Sequence, residues 1–150
     1  MSDAPPSPLD RALTRVGDRW SLLVVEALLP GPLRFADLQE RVPAIATNVL
    51  SARLKHLEAQ QLAVAVRYSG RPARFAYELT DTGRRLAGAV RMLRQWGADL
   101  EGLEPGRGAH LACGTALEAR WWCPTCDQVV ADAEAVSGDG DGDGEELTWL

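Results

Sequence analysis

Cysteine is missing from this 150-residue chain until Cys113, and the three it has, Cys113, Cys123 and Cys126, are an odd number. A disulfide framework is therefore excluded, and clustered thiols in a reducing compartment read as metal ligands. Long hydrophobic runs are missing as well. The longest, Leu22 to Leu29, is interrupted by Glu26 and falls far short of the roughly 20 residues that span a bilayer. Met1 to Pro8 has neither the cationic start nor the apolar stretch of a signal peptide, so a cytoplasmic location and no membrane contact are expected. Histidine occurs only twice. No Ser/His/Asp or Cys/His arrangement, phosphate-cradling glycine loop or carboxylate pair placed for acid–base work is present, so an enzyme is not expected. No internal repeat with a period of roughly 20 to 50 residues is visible.

What is present begins with 46% apolar residues, enough to bury a core. The formal charge of -5 and the pI near 5.0 conceal a division along the chain. Leu9 to Leu100 carries 14 Lys and Arg against 9 Asp and Glu, whereas Glu101 to Leu150 carries 2 against 11. A basic body suited to a polyanion is thus followed by an acidic stretch.

Within the basic body, Leu9 to Val16 reads as a short helix, and Asp18 is a suitable cap for a second that runs to Leu29 and stops at Pro30-Gly31-Pro32. This second helix is apolar nearly all round, so it belongs to the core. Phe35 to Arg41 gives a third helix, stopped by Pro43. A fourth runs from Ala46 or Thr47 to Gln60, with Leu50, Leu54, Leu57 and Leu62 near helical spacing and Asn48, Ser51, Ala52 and Lys55 on the other side. The period then changes toward 2: Ala63 to Tyr68 and Arg74 to Leu79 flank Ser69-Gly70-Arg71-Pro72, which predicts a β-hairpin with a basic tip. Thr80 or Asp81 caps a long helix to about Leu100, with Leu86, Val90, Leu93, Gly97 and Leu100 on one stripe and Ala89, Met92 and Trp96 beside it.

Two short helices joined by a tight turn and followed by a hairpin form a winged helix-turn-helix. In that arrangement the second helix enters the major groove, its first turns nearest the base edges. Here those turns hold Thr47, Asn48, Ser51 and Ala52. Asn can pair with adenine at two points, Thr and Ser donate or accept, and Lys55 and His56 suit phosphate or guanine. Arg67, Arg71 and Arg74 on the wing add backbone or minor-groove contacts, and Arg34 and Arg53 complete the candidate DNA-binding set. The competing reading is an ordinary solvated face, because 25% of the residues are charged.

The segment from Ala12 to Gly97 resembles the HxlR-type winged-helix regulators, which are related to the MarR group. The likeness rests on W-x-L-L at Trp20, G-P-x-R-F-x-x-L from Gly31, V-L-x-x-R-L-x-x-L-E from Val49 and Y-x-L-T-x-x-G from Tyr77. It implies a homodimer on a palindromic or near-palindromic operator of double-stranded DNA, paired through the N-terminal helix and the long helix after the wing. Two departures stand out. Family members that sense electrophiles or oxidants use a cysteine near the N-terminus, and none occurs here before Cys113, so that mechanism is not supported. The family commonly has Ser where this chain has Ala46, which leaves the cap of the recognition helix to another residue such as Thr47. Trp20 and Trp96 are expected to pack in the core or at the dimer interface. A small-molecule effector at that interface is a further partner considered, and no residue names its chemistry.

Behind the winged helix, His110-Leu-Ala-Cys113-Gly and Cys123-Pro-Thr-Cys126 are two ligand pairs, each with two residues between its members. That spacing lets both members of a pair reach one ion from a tight knuckle, and one His with three Cys matches a closed, structural Zn2+ site. A piece this small cannot bury enough surface to fold alone, so a metal is its natural staple. Leu117 to Trp122 is expected to form a strand between the knuckles. The alternatives are a reactive dithiol at Cys123 and Cys126 or thiols with no role. Trp121 and Trp122 read as packing rather than base-stacking residues. In the acidic stretch, Asp139 to Gly144 begins like a calcium loop, but its twelfth position is Leu150 instead of Glu, and disorder is the expectation.

The fold class expected is mainly α with a small β-hairpin. Residues 9–100 form a winged helix-turn-helix DNA-binding and dimerisation domain, 108–131 a zinc-ribbon-like module with structural Zn2+ on His110, Cys113, Cys123 and Cys126, and 132–150 a flexible acidic tail. The function expected is a sequence-specific, homodimeric transcriptional regulator. The alternative is an interaction module that binds a partner in the transcription machinery through the winged helix and ribbon.

Overall fold

The computed structural model describes residues 5–70, 73–102, 110, 112–115, 117, 119–131 and 134. The first helix, α1 (Pro8–Val16), starts with proline at its first turn, where the missing N–H is not needed, and the Ser7 hydroxyl accepts from the Asp10 N–H at 3.1 Å. In α2 (Arg19–Leu28), Asp18 Oδ1 accepts from the Trp20 and Ser21 N–H groups at 3.1 and 3.0 Å. Ser21, Val24, Val25 and Leu28 of α2 are buried, so the helix is the central member of the core, as its composition requires.

A two-residue strand, β1 (Leu33–Arg34), then leads into α3 (Phe35–Arg41) and α4 (Thr47–Ala59). The wing is β2 (Ala63–Ser69) and β3 (Arg74–Leu79), antiparallel, with a register shift between Arg67 and Ser69. β1 adds to the free edge of β3 through Leu33 opposite Tyr77, giving the order β1-β3-β2. Two residues carry no readable period, so β1 exists only because β3 presents its edge to the chain leaving Pro32.

Leu38, Val42, Ile45, Leu50, Leu54, Leu57, Leu62, Ala63, Leu79 and Val90 close the core around α2. Leu50, Leu54 and Leu57 are at most 1% exposed. Each is therefore worth about 2–5 kcal/mol against truncation to alanine. This stripe holds α4 down by one side and turns Asn48, Ala52 and Lys55 outward.

The long helix expected after the wing is divided into α5 (Asp81–Arg84) and α6 (Ala87–Glu101). Thr80 caps α5 by accepting from the Gly83 N–H at 3.1 Å, while its hydroxyl donates to the Gln61 carbonyl at 2.7 Å. Gly83 lies so close to the Leu62 carbonyl that a Cβ there would collide with it. Docking this turn against the end of α4 sets α5 apart, and the Leu86 N–H bonds to the Gly83 carbonyl at 3.1 Å as α6 begins. Of the expected α6 stripe only Val90 is buried, and Leu93 and Leu100 are exposed.

A separate hairpin pairs β4 (Trp121–Cys123) with β5 (Gln128–Val130). Its first strand begins at Trp121, not at Leu117 as the sequence suggested. The acidic stretch from residue 132, including the calcium-loop-like run, lies outside the described residues apart from Glu134, as does most of the linker over 101–108. No helix among the described residues is long and apolar enough to cross a membrane.

Candidate nucleic-acid interface

The turn between α3 and α4 spans Val42 to Ala46, with Ala44 in the left-handed region at φ 65°. It sets α4 on the surface, and along α4 the outward residues Asn48, Ala52 and Lys55 follow one another at helical spacing. Asn48 and Lys55 are exposed without a partner among the described residues, and Ser51 is half-buried beside them. This stripe can offer one amide, one hydroxyl and one ammonium to a partner.

The recognition-helix cap is not Thr47. The capping position is Ala46, which has no side chain able to accept, and Thr47 is already the first helical residue. Its hydroxyl instead accepts from Gln39 Nε2 of α3 at 2.8 Å, a tether between the two helices of the motif. Gln39 escaped the sequence reading because a glutamine on a short helix carries no positional signal.

Two other candidates are engaged within the fold. The Arg53 guanidinium reaches Asp18 Oδ2 at 3.3 Å, and its Nε is buried without an acceptor. His56 Nε2 lies 2.8 Å from the Arg15 carbonyl oxygen at the end of α1. Partial burial by itself would raise the Asp18 pKa, yet the hydrogen bonds from the Ser21 hydroxyl and N–H and the Arg53 charge hold it below the ordinary 3.8. The near side of β2 is tied to α4 as well, since Glu58 accepts from the Ala65 N–H at 3.2 Å.

On the wing, Arg67 folds back to donate to the Ser69 carbonyl at 3.0 Å and to the Gly70 carbonyl, so it stiffens the tip. Arg34 stacks over the Tyr68 ring at 4.7 Å, and its N–H donates to Asp37 Oδ2 at 3.1 Å. Arg74 is exposed with no partner among the described residues, and Arg71 lies outside them. Arg34, Arg67 and Arg74 thus leave the wing basic on a rigid frame.

Residues 15–104 match the HxlR-like helix-turn-helix family. The chain belongs to this family. The HTH-type transcriptional regulator Rv3095 of Mycobacterium tuberculosis H37Rv is 36% identical over 124 residues, covering 80% of this chain and 77% of its own. YodB of Bacillus subtilis 168, an HTH-type transcriptional regulator, is 30% identical over 98 residues, 65% of this chain and 86% of its own. The solved structure of PA1607 has a TM-score of 0.74 at 29% identity, over 89% of this chain and 94% of that one. The protein is accordingly grouped with DNA-binding transcriptional regulators of the HxlR family and not with enzymes.

The candidate metal ligands fall into two local turns of the same design. The Gly114 N–H donates to the His110 carbonyl at 2.8 Å, and the Asp127 N–H to the Cys123 carbonyl at 2.9 Å. In each turn the residue after the second ligand is left-handed, Gly114 at φ 70° and Asp127 at φ 55°. His110 Nδ1 is 3.3 Å from Cys113 Sγ, which is 3.2 Å from Thr115 Oγ1. Hydrogen bonds from Thr115 and then His110 lower the Cys113 pKa, and those from Cys126 and Thr125 lower that of Cys123. Among the described residues no three His, Cys, Asp or Glu side chains converge as a metal-holding group, so the two pairs stand as separate halves.

Proposed function

We propose that the protein is a cytoplasmic homodimer that binds a two-fold symmetric operator and regulates transcription from it, with α4 of each protomer in the major groove. The observation that carries this reading is the outward stripe Asn48, Ala52 and Lys55 on a helix whose opposite side is fully buried. In this reading Thr47, Asn48 and Ser51 face base edges, Lys55 and Arg74 face phosphates, and Arg34, Arg67 and Arg71 supply the charge of the wing. The dimer is supported by apolar side chains left uncovered on two helices. Leu9 and Leu13 of α1 and Met92, Leu93, Trp96 and Leu100 of α6 are all exposed, Trp96 at 62% and Leu100 at 66%. Such stripes on a single chain mark a surface that a second copy covers. An effector would bind beside that surface.

The experiment is sedimentation of the purified protein followed by a mobility shift, at several salt concentrations, on duplexes selected by the protein from a random pool. A monomer, or a pool with no enriched symmetric sequence, overturns the reading.

For the C-terminal hairpin, the same reading places structural Zn2+ on His110, Cys113, Cys123 and Cys126. The donor set and the repeated knuckle turn suit that ion, and its binding would have to draw the two separate halves together. Bound there, zinc would supply a closed tetrahedral staple with no open position for chemistry. Elemental analysis of the purified protein is expected to give one zinc per chain, lost in the Cys123→Ser variant. Protein that contains no zinc and is unchanged by the substitution overturns the assignment.

A further inference from the structure

Four polar contacts outside the core fix where α4 sits. Gln39 holds Thr47 at its start, Glu58 holds β2 near its end, and His56 reaches the end of α1. The fourth contact, Arg53 to Asp18, is the only ion pair between α4 and the rest of the chain among the described residues. Leu50, Leu54 and Leu57 decide which side of the helix faces the core, through packing that is strong but carries no hydrogen-bond directionality. Directional contacts add the finer setting of the angle at which the outward stripe is held.

Asp18 is unusual in what it joins. One oxygen, Oδ1, caps α2 through the Trp20 and Ser21 N–H groups. The other, Oδ2, accepts from the Ser21 hydroxyl and from Arg53. Ser21 is fully buried in the core, so the carboxylate cannot swing without breaking the cap and a buried hydroxyl bond. The first turn of α2 thereby becomes a fixed anchor, and Arg53 transmits its position to the middle of α4, two residues from both Ser51 and Lys55.

We propose that Asp18 and Arg53 orient the recognition helix, and that Arg53 is a positioning residue instead of a ligand for DNA. The inference rests on the reading that α4 enters the major groove. It accounts for an Arg whose Nε is buried without an acceptor at a position where a Met would pack without that penalty. The guanidinium is held where it bonds an anchor, and a carboxylate beside it makes the same spot unfavourable for phosphate.

The test uses the full-length protein, the operator selected from random duplexes, and the variants Arg53→Met, Asp18→Asn, their double mutant and Lys55→Gln. Asn retains the capping ability of Asp while removing its charge. Arg53→Met and Asp18→Asn are each expected to weaken operator binding by about three- to tenfold, two ion pairs per dimer being lost. The double variant should be no weaker than either alone, and thermal midpoints should stay within a few degrees of the parent. The slope of log affinity against log salt should be unchanged in both, whereas Lys55→Gln lowers it by about 1.8 per dimer. The proposal fails if Arg53→Met lowers that slope as Lys55→Gln does, for Arg53 then touches phosphate. It also fails if stability drops while the affinity of folded protein is intact, or if the two losses simply add. An unchanged slope and affinity in Lys55→Gln would instead remove the reading of α4 on which the inference rests.

Discussion

His56 Nε2 lies 2.8 Å from the Arg15 carbonyl oxygen, and this contact pins the helix proposed to read DNA to the helix proposed to pair the protomers. The carbonyl is near the end of α1, where the last C=O groups have no partner in their own helix. An imidazole N–H supplies one. Replacing His56 by Ala is expected to lower stability by about 1 kcal/mol, the worth of an ordinary hydrogen bond. Because the ring faces α1, the salt dependence of DNA binding should keep its parent slope. Urea unfolding and fluorescence anisotropy at three salt concentrations check the two halves, and a reduced slope would return His56 to the phosphate contacts.

Lys55 is the only lysine in the chain, which makes it a built-in probe. Reductive methylation with 13C-formaldehyde labels its ammonium and the amino terminus alone. The Lys55 resonance is expected to shift on titration with operator duplex and not with heparin-sized polysulfate at high salt. Asn48→Ala should relax base preference at one position of each half-site by about 1–3 kcal/mol, the value of a bidentate adenine contact. Selection of binding sites with the variant reads this out, and an unaltered preference removes Asn48 from the base-reading set.

Two non-glycine residues hold the ends of the motif in left-handed backbone. Ala44 has φ 65° in the turn before α4, and Gln61 has φ 57° just after it. At Gln61 the Leu62 N–H reaches the Leu57 carbonyl and the Gln61 N–H the Glu58 carbonyl, both at 2.9 Å, the double bond of a Schellman end. A Cβ is disfavoured in this conformation. Ala44→Gly and Gln61→Gly are each expected to stabilise by about 0.5–1 kcal/mol, raising the thermal midpoint by a few degrees. A lowered midpoint at either site contradicts the assigned backbone.

Asp18 carries a pH signature. Its carboxyl is held below 3.8 by the Ser21 hydrogen bonds and Arg53 against the opposing effect of burial. A depressed folded-state pKa adds stability that is fully present above the unfolded value and disappears as pH falls through the folded value. The gap in thermal midpoint between parent and Asp18→Asn should therefore be steady from neutral pH to about 5 and close on further acidification. Calorimetry across that range tests it, and a gap that widens toward acid would reverse the sign of the Asp18 contribution.

Local signals carried much of this molecule. Asp18 before an apolar helix, Pro43 after α3, the change of period at Ala63 and the Leu50, Leu54, Leu57 spacing each specify an element from its own residues, because caps, breakers and hydrophobic periods act within a few positions. The outward stripe of α4 and the two knuckle pairs were legible for the same reason. What depended on the tertiary structure was which charged groups stay free. Arg53 and Asp18 are 35 residues apart, and His56 and Arg15 are 41. Nothing in either local sequence marks them as partners, since an arginine or histidine on a helix looks the same whether it meets a phosphate or a neighbouring helix. Packing α2 against α4 brought Arg53 to Asp18, and the end of α1 lying beside α4 brought Arg15 to His56. The free edge of β3 gave β1 its pairing, and the close approach of Gly83 to Leu62 divided the last helix.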